Sequence, residues 1–319
     1  MNLTQYAAAR TLELTDLFTV DASRIPPLGW LALGCLVAYL AGAASLWVRG
    51  RRWSVLGTIS FVLGSLAWFA ATGLAVNAYA GDLITALIFQ VITMLVAAPP
   101  LLLMGSPGKL LLRATPHRGL GIPILRAAIA AQRSRAARIL LHPIVAILVA
   151  VIALPGLFFT DAISWIMAVP GGHQTLLALL LVFGVIGGAP LWALDPLPRK
   201  PSFGVRLAGA FLELQVHALF GLVLLRSASG LLSWYSEEPE GWAVSRALDQ
   251  SLSGSLVWTY GQLPLIIVLI VTLSKWRRSD MRGARHRQRA EDEALDEYNA
   301  YLARAAEHTV AGANRKDHA

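Results

Sequence analysis

A single cysteine, Cys35, rules out any disulfide within the chain and leaves the redox compartment unread. Charge is also scarce. Only 14% of residues are Asp, Glu, Lys or Arg, against about 25% in soluble domains, which excludes an ordinary soluble domain of this size. A Walker A loop, an H-E-x-x-H pair and a G-x-S-x-G elbow are all missing, so no motif supports nucleotide binding or nucleophilic catalysis, and the chain does not read as an enzyme. No pair of His, Cys or Met has the short spacing that marks a metal site by itself. Fixed-period repeats and low-complexity linkers are absent too. Residues 1–27 carry Glu13, Asp16 and Asp21 against Arg10 and Arg24 and lack the basic start and short apolar core of a cleavable signal. The first apolar run is therefore expected to stay as a membrane helix.

What the chain does have is apolar surface: 56% of its 319 residues are hydrophobic and the mean hydropathy is +0.58. Seven stretches approach the roughly 20 apolar residues needed to cross a bilayer. They are Leu28 to Val48, Trp53 to Val76, Leu83 to Met104, Ile139 to Phe159, Thr175 to Leu194, Val205 to Leu232 and Leu256 to Leu273. None alternates as a barrel strand would, and lipid leaves no backbone group unpaired, so an all-α polytopic bundle of seven transmembrane helices is expected.

The net charge of +8 and a pI near 10.1 do not point to nucleic acid, because the basic residues cluster beside the apolar runs and read as topology signals. Arg49, Arg51 and Arg52 follow the first run. Lys109, Arg113, Arg118, Arg126, Arg133, Arg135 and Arg138 join the third to the fourth. Arg199, Lys200 and Arg206 follow the fifth, and Lys275, Arg277, Arg278, Arg282, Arg285, Arg287 and Arg289 open the tail. The intervening connections carry Asp82, then Asp161, then Glu237, Glu238, Glu240 and Asp249 against Arg246. This alternation predicts an N-out, C-in protein of the cell membrane. The domain reading is 1–27 outside, 28–274 in the membrane and 275–319 as a cytoplasmic helical tail.

Three further helical elements are expected: a tail helix from Trp276 to Glu307, an interfacial helix from Ile124 to Ala137, and a short amphipathic element from Leu12 to Val20. Gly184 to Gly188 reads as a site of close helix packing.

Ionisable groups inside a membrane are costly and so attract functional readings. Glu213 and His217 stand four residues apart on one face of the sixth run, within hydrogen-bonding reach, with Gln215 off that face. Such a pair can orient an imidazole for a metal, carry protons, or satisfy itself between helices. Arg226 lies toward the end of that helix, where it can snorkel or meet the acidic loop. His142, before Pro143, reads as a helix cap or as a residue placed at the membrane interface. His173 reads as a solvated loop histidine at the mouth of the fifth run. Met94 and Cys35 are soft donors on apolar helices, where packing is their ordinary role.

Four stretches and the tail carry a further signal. They are Val96-Ala97-Ala98-Pro99-Pro100-Leu101-Leu102 with Gly105-Ser106-Pro107; Asp195-Pro196-Leu197-Pro198; His217-Ala218-Leu219-Phe220-Gly221; and Asp249-Gln250 with Gly254, Trp258, Gly261, Leu263 and Pro264. The tail adds Trp276, Ser279-Asp280, Arg282 and Tyr298-Asn299-Ala300-Tyr301-Leu302-Ala303. Together, from about the second run to the tail, they resemble the CtaG family of cytochrome c oxidase assembly factors, in its actinobacterial-type form. The resemblance implies seven membrane helices and a role in maturing a haem-copper oxidase by helping copper reach its site, with oxidase subunits or other copper chaperones as partners. Copper ligation would then fall to His217, Glu213 and His173. Family members often carry two histidines just before the Ala-Pro-Pro segment; here Leu87 and Val91 hold those positions, although Gln90 between them fits the pattern. A metal-free scaffold for oxidase subunits is the alternative. A small-solute transporter would show broken helices in two matching halves, and none are visible.

Overall fold

Pro27 opens the first long helix, where a missing N–H costs nothing, and an unbroken apolar run carries that helix to Val48. In this computed structural model, which describes residues 19–119, 121–192, 197, 201–227, 231–237 and 244–316, the described residues form helices and no strands. The protein is a membrane helix bundle. Its internal packing divides it into Met1–Ile270 and Val271–Ala319.

In the first unit, α1 (Pro27–Val48) and α2 (Val55–Gly73) pack side by side, and α2 packs against α3 (Ile84–Met104). The amphipathic α4 (Pro107–Ala114) returns onto α1. The basic connection forms α5 (Gly121–Arg133) and α6 (Arg135–Leu140), in place of the single helix expected over Ile124 to Ala137. Ser134 divides them, since its hydroxyl accepts from Ala137 N and caps the second. Then come α7 (Pro143–Val151), the short α8 (Ala162–Ala168), α9 (Gly172–Trp192), α10 (Phe203–Arg226) and α11 (Arg246–Thr259). The last helix, α12, is Leu263–Lys316. It contains both the end of the seventh apolar run and the expected tail helix, and the Val271–Ala319 unit is drawn from it.

Among the described residues six helical runs are long and apolar enough to cross a membrane: Pro27–Val48, Val55–Gly73, Ile84–Met104, Gly172–Trp192, Phe203–Arg226 and Arg246–Tyr301. The fourth expected run differs. His142 Nδ1 accepts from Ile144 N and Pro143 opens the helix, so the apolar segment starts five residues later than hydropathy implies and is the shorter Ile144–Gly156. The cap expected of His142 is thus present.

Two helices contain a wider, π-helical turn, each beside a proline. In α3 it covers Thr93–Ala97, just before Pro99 and Pro100, and after α7 it covers Ile152–Gly156, around Pro155. Prolines withhold the N–H that an α-helical carbonyl expects, and a π-turn re-registers the ladder around the gap. The Ala-Pro-Pro segment therefore shapes α3. Against it lies α9: a Cβ on Gly184 would stand 2.2 Å from Leu95 O and 2.5 Å from Pro99 Cγ, so glycine is required there, in keeping with the close packing read from Gly184 to Gly188. The same contact chemistry joins α10 to α11. A Cβ on Gly254 would meet Leu225 N at 2.6 Å, and one on Gly221 would meet Trp258 Cδ1 at 2.7 Å.

The amphipathic element expected from Leu12 to Val20 lies outside the described residues apart from Thr19 and Val20. Asp195, Pro196 and Pro198 lie outside them as well, as do Arg199, Lys200, Glu238 and Glu240.

Candidate functional site

Polar side chains gather at the end of the bundle where α3, α9 and α11 begin and α10 ends. The centre of this network is Asp249, in the first turn of α11 and almost fully buried. Its carboxylate reaches beyond its own helix. Oδ2 accepts from Ile84 N at 2.7 Å and Oδ1 from Thr85 N at 2.9 Å, so Asp249 caps the start of α3 from 165 residues away, while Thr85 Oγ1 donates to Asp249 O at 2.9 Å. A carboxylate at that position meets the unpaired N–H groups and the positive end of the helix dipole.

Arg246 completes the arrangement. Its guanidinium pairs with Asp249 Oδ2 at 3.0 Å, donates to Asp82 O and to Glu237 O, and lies over the Tyr235 ring at 5.2 Å. Tyr235 OH donates to Ala80 O and Trp234 Nε1 to Gly81 O. Burial, followed by the negative charge of Asp249, raises the Tyr235 phenol well above its ordinary value, so it stays a donor. Next along the helix, Gln250 accepts from Leu231 N and donates to Leu224 O and Ser227 O, closing the end of α10. Ser233 Oγ reaches Asp161 Oδ1 at 3.0 Å and Ser164 Oγ at 2.6 Å. Three connections are therefore tied together at one end.

One and a half turns into α3, Gln90 forms a second cluster. It is fully buried, donates to Ala71 O at 2.6 Å and to Asn77 Oδ1 at 3.2 Å, and accepts from His173 Nε2 at 2.8 Å. Gln174 Nε2 donates to the same Asn77 oxygen at 2.9 Å, and its buried Oε1 has no partner among the described residues. His173 is thus the second residue of α9, held by α3, and not the solvated loop histidine that its Gly-Gly context implies.

His217 is completely buried on α10. Its Nδ1 donates to the Glu213 main-chain carbonyl at 2.8 Å, so the expected side-chain pair with the Glu213 carboxylate is not made. Because a carbonyl can only accept, the proton of the neutral ring sits on Nδ1, and Nε2 presents a bare lone pair with no hydrogen-bond partner among the described residues. Glu213 itself is half-buried. Leu87 and Val91 are both fully buried in the main hydrophobic core, as is Met94, while Cys35 is half-buried on α1. The structure brings His173 to Gln90 but does not gather His217, Glu213 and His173 into one donor set. Among the described residues no three His, Cys, Asp or Glu side chains cluster closely enough to hold a metal.

At the opposite end Arg206, counted in the sequence as a loop charge, is buried. Its Nε and Nη2 donate to Leu191 O and Trp192 O, which cap the end of α9. Tyr39 OH donates to Gly105 O at 2.7 Å and the Tyr39 ring stacks on Phe61, holding the sharp turn in which Ser106 has a φ of 50°.

Sequence reasoning undervalued Asp249, Gln90 and Arg206. Asp249 and Gln90 were visible as polar letters within family-like segments, but their partners are distant in the chain.

The chain is 30% identical to an uncharacterized protein of Mycobacterium bovis and to one of Mycobacterium tuberculosis, over 83% of its own length and 42% of theirs. It is 27% identical to an uncharacterized protein of Mycobacterium leprae, over 86% of its length and 43% of that protein's. It therefore spans less than half of the curated relatives it matches. No solved structure matches it. The family model for the cytochrome c oxidase caa3 assembly factor covers residues 37–279, a stretch containing both polar clusters and His217. On that match, this chain belongs to the Caa3_CtaG family of cytochrome c oxidase assembly factors.

Proposed function

We propose that this chain is a non-catalytic plasma-membrane factor that engages a subunit of a haem-copper cytochrome c oxidase during assembly, through the end of the bundle locked by Asp249 and Arg246. The observation that carries this reading is that the family-like residues Asp249, Gln250, Gly221 and Gly254 serve shape: each ties or seats helices at that end. A rigid face loses little entropy on docking. The proposal keeps seven crossings, N-out and C-in, with Ile144–Gly156 as a short fourth crossing and the basic connections in the cytoplasm. A reporter after the tail is expected inside and one near Gly241, a residue outside the described set, is expected outside.

A second reading is favoured by the bare Nε2 of His217. Copper would enter as cargo, touched by one imidazole and released, since a single soft-to-borderline ligand holds copper loosely. Among the described residues no donor set closes around His217 to hold copper as a resident ion. The test is a deletion strain complemented with the native gene or with His217→Ala. Loss of assembled oxidase on deletion, read from reduced-minus-oxidised haem spectra, supports the assembly role; unchanged spectra and activity refute it. If the imidazole handles copper, His217→Ala lowers oxidase while the protein stays abundant; if it is structural, the abundance of the protein falls first.

A further inference from the structure

Where α1 ends and α4 ends, four guanidinium groups face one cavity. Arg49, Arg51, Arg113 and Arg118, with His117 and Thr115, line a space of about 390 Å³. Among the described residues no carboxylate pairs with any of the four arginines. Arg113 is steadied over the Trp53 ring at 5.7 Å, so its charge is already positioned. Thr115 also lines a second, larger space of about 570 Å³, an open groove between α1 and α4 walled by Cys35, Ala38, Gly42, Leu110 and Leu111. The cationic cavity and the apolar groove thus adjoin at Thr115.

The two halves differ in chemistry as the two halves of a lipid do. At 1.5 Å of rise per residue, the α1 wall from Cys35 to Ser45 runs about 15 Å, which is half of a hydrocarbon core roughly 30 Å thick, one leaflet. Arginine forks match phosphate oxygens, and basic pockets beside membrane helices select anionic headgroups. A free anion would fill the cavity but leave the groove unused. We propose that this site binds one anionic phospholipid, with its phosphate among Arg49, Arg51, Arg113 and Arg118 and an acyl chain along the α1–α4 groove. The proposal is independent of the assembly role.

Native mass spectrometry of the full-length protein in neutral detergent, titrated with phosphatidylglycerol or phosphatidylcholine, tests it. One phosphatidylglycerol is expected to bind at a half-saturating concentration at least tenfold below that of phosphatidylcholine, with the preference shrinking as salt rises. The triple change Arg49→Gln, Arg51→Gln, Arg118→Gln, which leaves Arg113 on Trp53, is expected to abolish the preference. Ala38→Trp, which fills the groove and spares every arginine, is expected to weaken phosphatidylglycerol binding at least tenfold. Equal binding of the two lipids by the native protein overturns the proposal, and so does native-like selectivity in the triple variant. Displacement of the lipid by equimolar inorganic phosphate, with no effect of Ala38→Trp, identifies a free-anion site and also overturns it. The variants alter separate halves, so either one that remains monodisperse decides; if both aggregate, the lipid preference and salt response of the native protein decide.

Discussion

Replacing Asp249 by alanine removes one carboxylate and strands groups on two helices. Ile84 N and Thr85 N lose charge-assisted hydrogen bonds of 2.7 and 2.9 Å, and Arg246 loses its 3.0 Å partner. A hydrogen bond to a charged group contributes about 1.5–3 kcal/mol, and breaking a buried ion pair costs about 3–5 kcal/mol because the remaining charge is unmet. Arg246 keeps its bonds to Asp82 O and Glu237 O and its place over Tyr235. Its charge is therefore not left unmet and the full ion-pair figure does not apply: the two hydrogen bonds at their low end sum to about 3 kcal/mol, the weakened Arg246 contact adds about 1 kcal/mol, and the expected loss is about 4 kcal/mol. Asp249→Asn retains one acceptor without the charge and should cost about half as much, about 2 kcal/mol. At roughly 2–4 °C per kcal/mol, the unfolding midpoint of the detergent-solubilised protein should fall by about 10 °C for alanine and about 5 °C for asparagine. Hydrogen exchange supplies a local readout, since the amides of Ile84 and Thr85 should lose protection before the middle of α3 does. Midpoints within about 2 °C of the native protein, or unchanged protection at those two amides, would refute the trans-capping account.

Three other outcomes are expected. Tyr235 has a folded pKa raised above its unfolded value near 10, so its contribution is fully present below about pH 10 and is lost as pH rises beyond it; the stability gap between native protein and Tyr235→Phe should narrow above that pH, and a constant gap would contradict the buried donor. Gly184→Ala should destabilise by about 1–3 kcal/mol through overpacking against Leu95 O, whereas Gly34→Ala, with open space around it, should be neutral or better; thermal midpoints distinguish them, and equal effects would remove the close-contact argument. Gln90→Leu and His173→Ala should be non-additive, with a coupling of about 1 kcal/mol in a double-mutant cycle, because each removes the same 2.8 Å bond; simple additivity would show that the bond contributes nothing.

Long apolar runs were legible because twenty consecutive residues without charge have few alternatives to a membrane helix: four of the seven stretches appear as helices within three residues of their expected bounds, and the sixth ends six residues early, at Arg226. The fourth and seventh differ for a local reason: Pro143 restarts one helix, and the turn Tyr260–Gln262 interrupts the other before Pro264. Hydropathy averages over such punctuation and cannot see it. The polar site was less legible. Glu213 and His217 drew attention because they are close in sequence, yet the bond His217 makes is to a main-chain oxygen, which every residue has. Asp249 and Gln90 act across 165 and 83 residues, and no periodicity links positions so far apart. Asp249 looked like one more acidic loop charge until α3 was placed beside it.

The residues that lock helices together are not the ones read from the sequence as copper ligands. Asp249, Gln250, Gly221, Gly254 and the Ala-Pro-Pro turn all fix how helices meet. Leu87 and Val91, by contrast, fill the core beside Gln90. With apolar side chains there, the pull of a bound ion cannot help hold α3 in place, and its position must come from Asp249 at its start, Gln90 within it and Gly184 against its π-turn. Those three contacts fix α3 to three different partners: α11, the end of α2 and α9. A helix held at its start, in its second turn and at its midpoint has little freedom to open around an ion, whereas it presents the connections 80–82, 161–164 and 233–237 in a constant arrangement. A constant surface suits the docking of a protein partner better than it suits the storage of a metal, since little freedom is lost on binding.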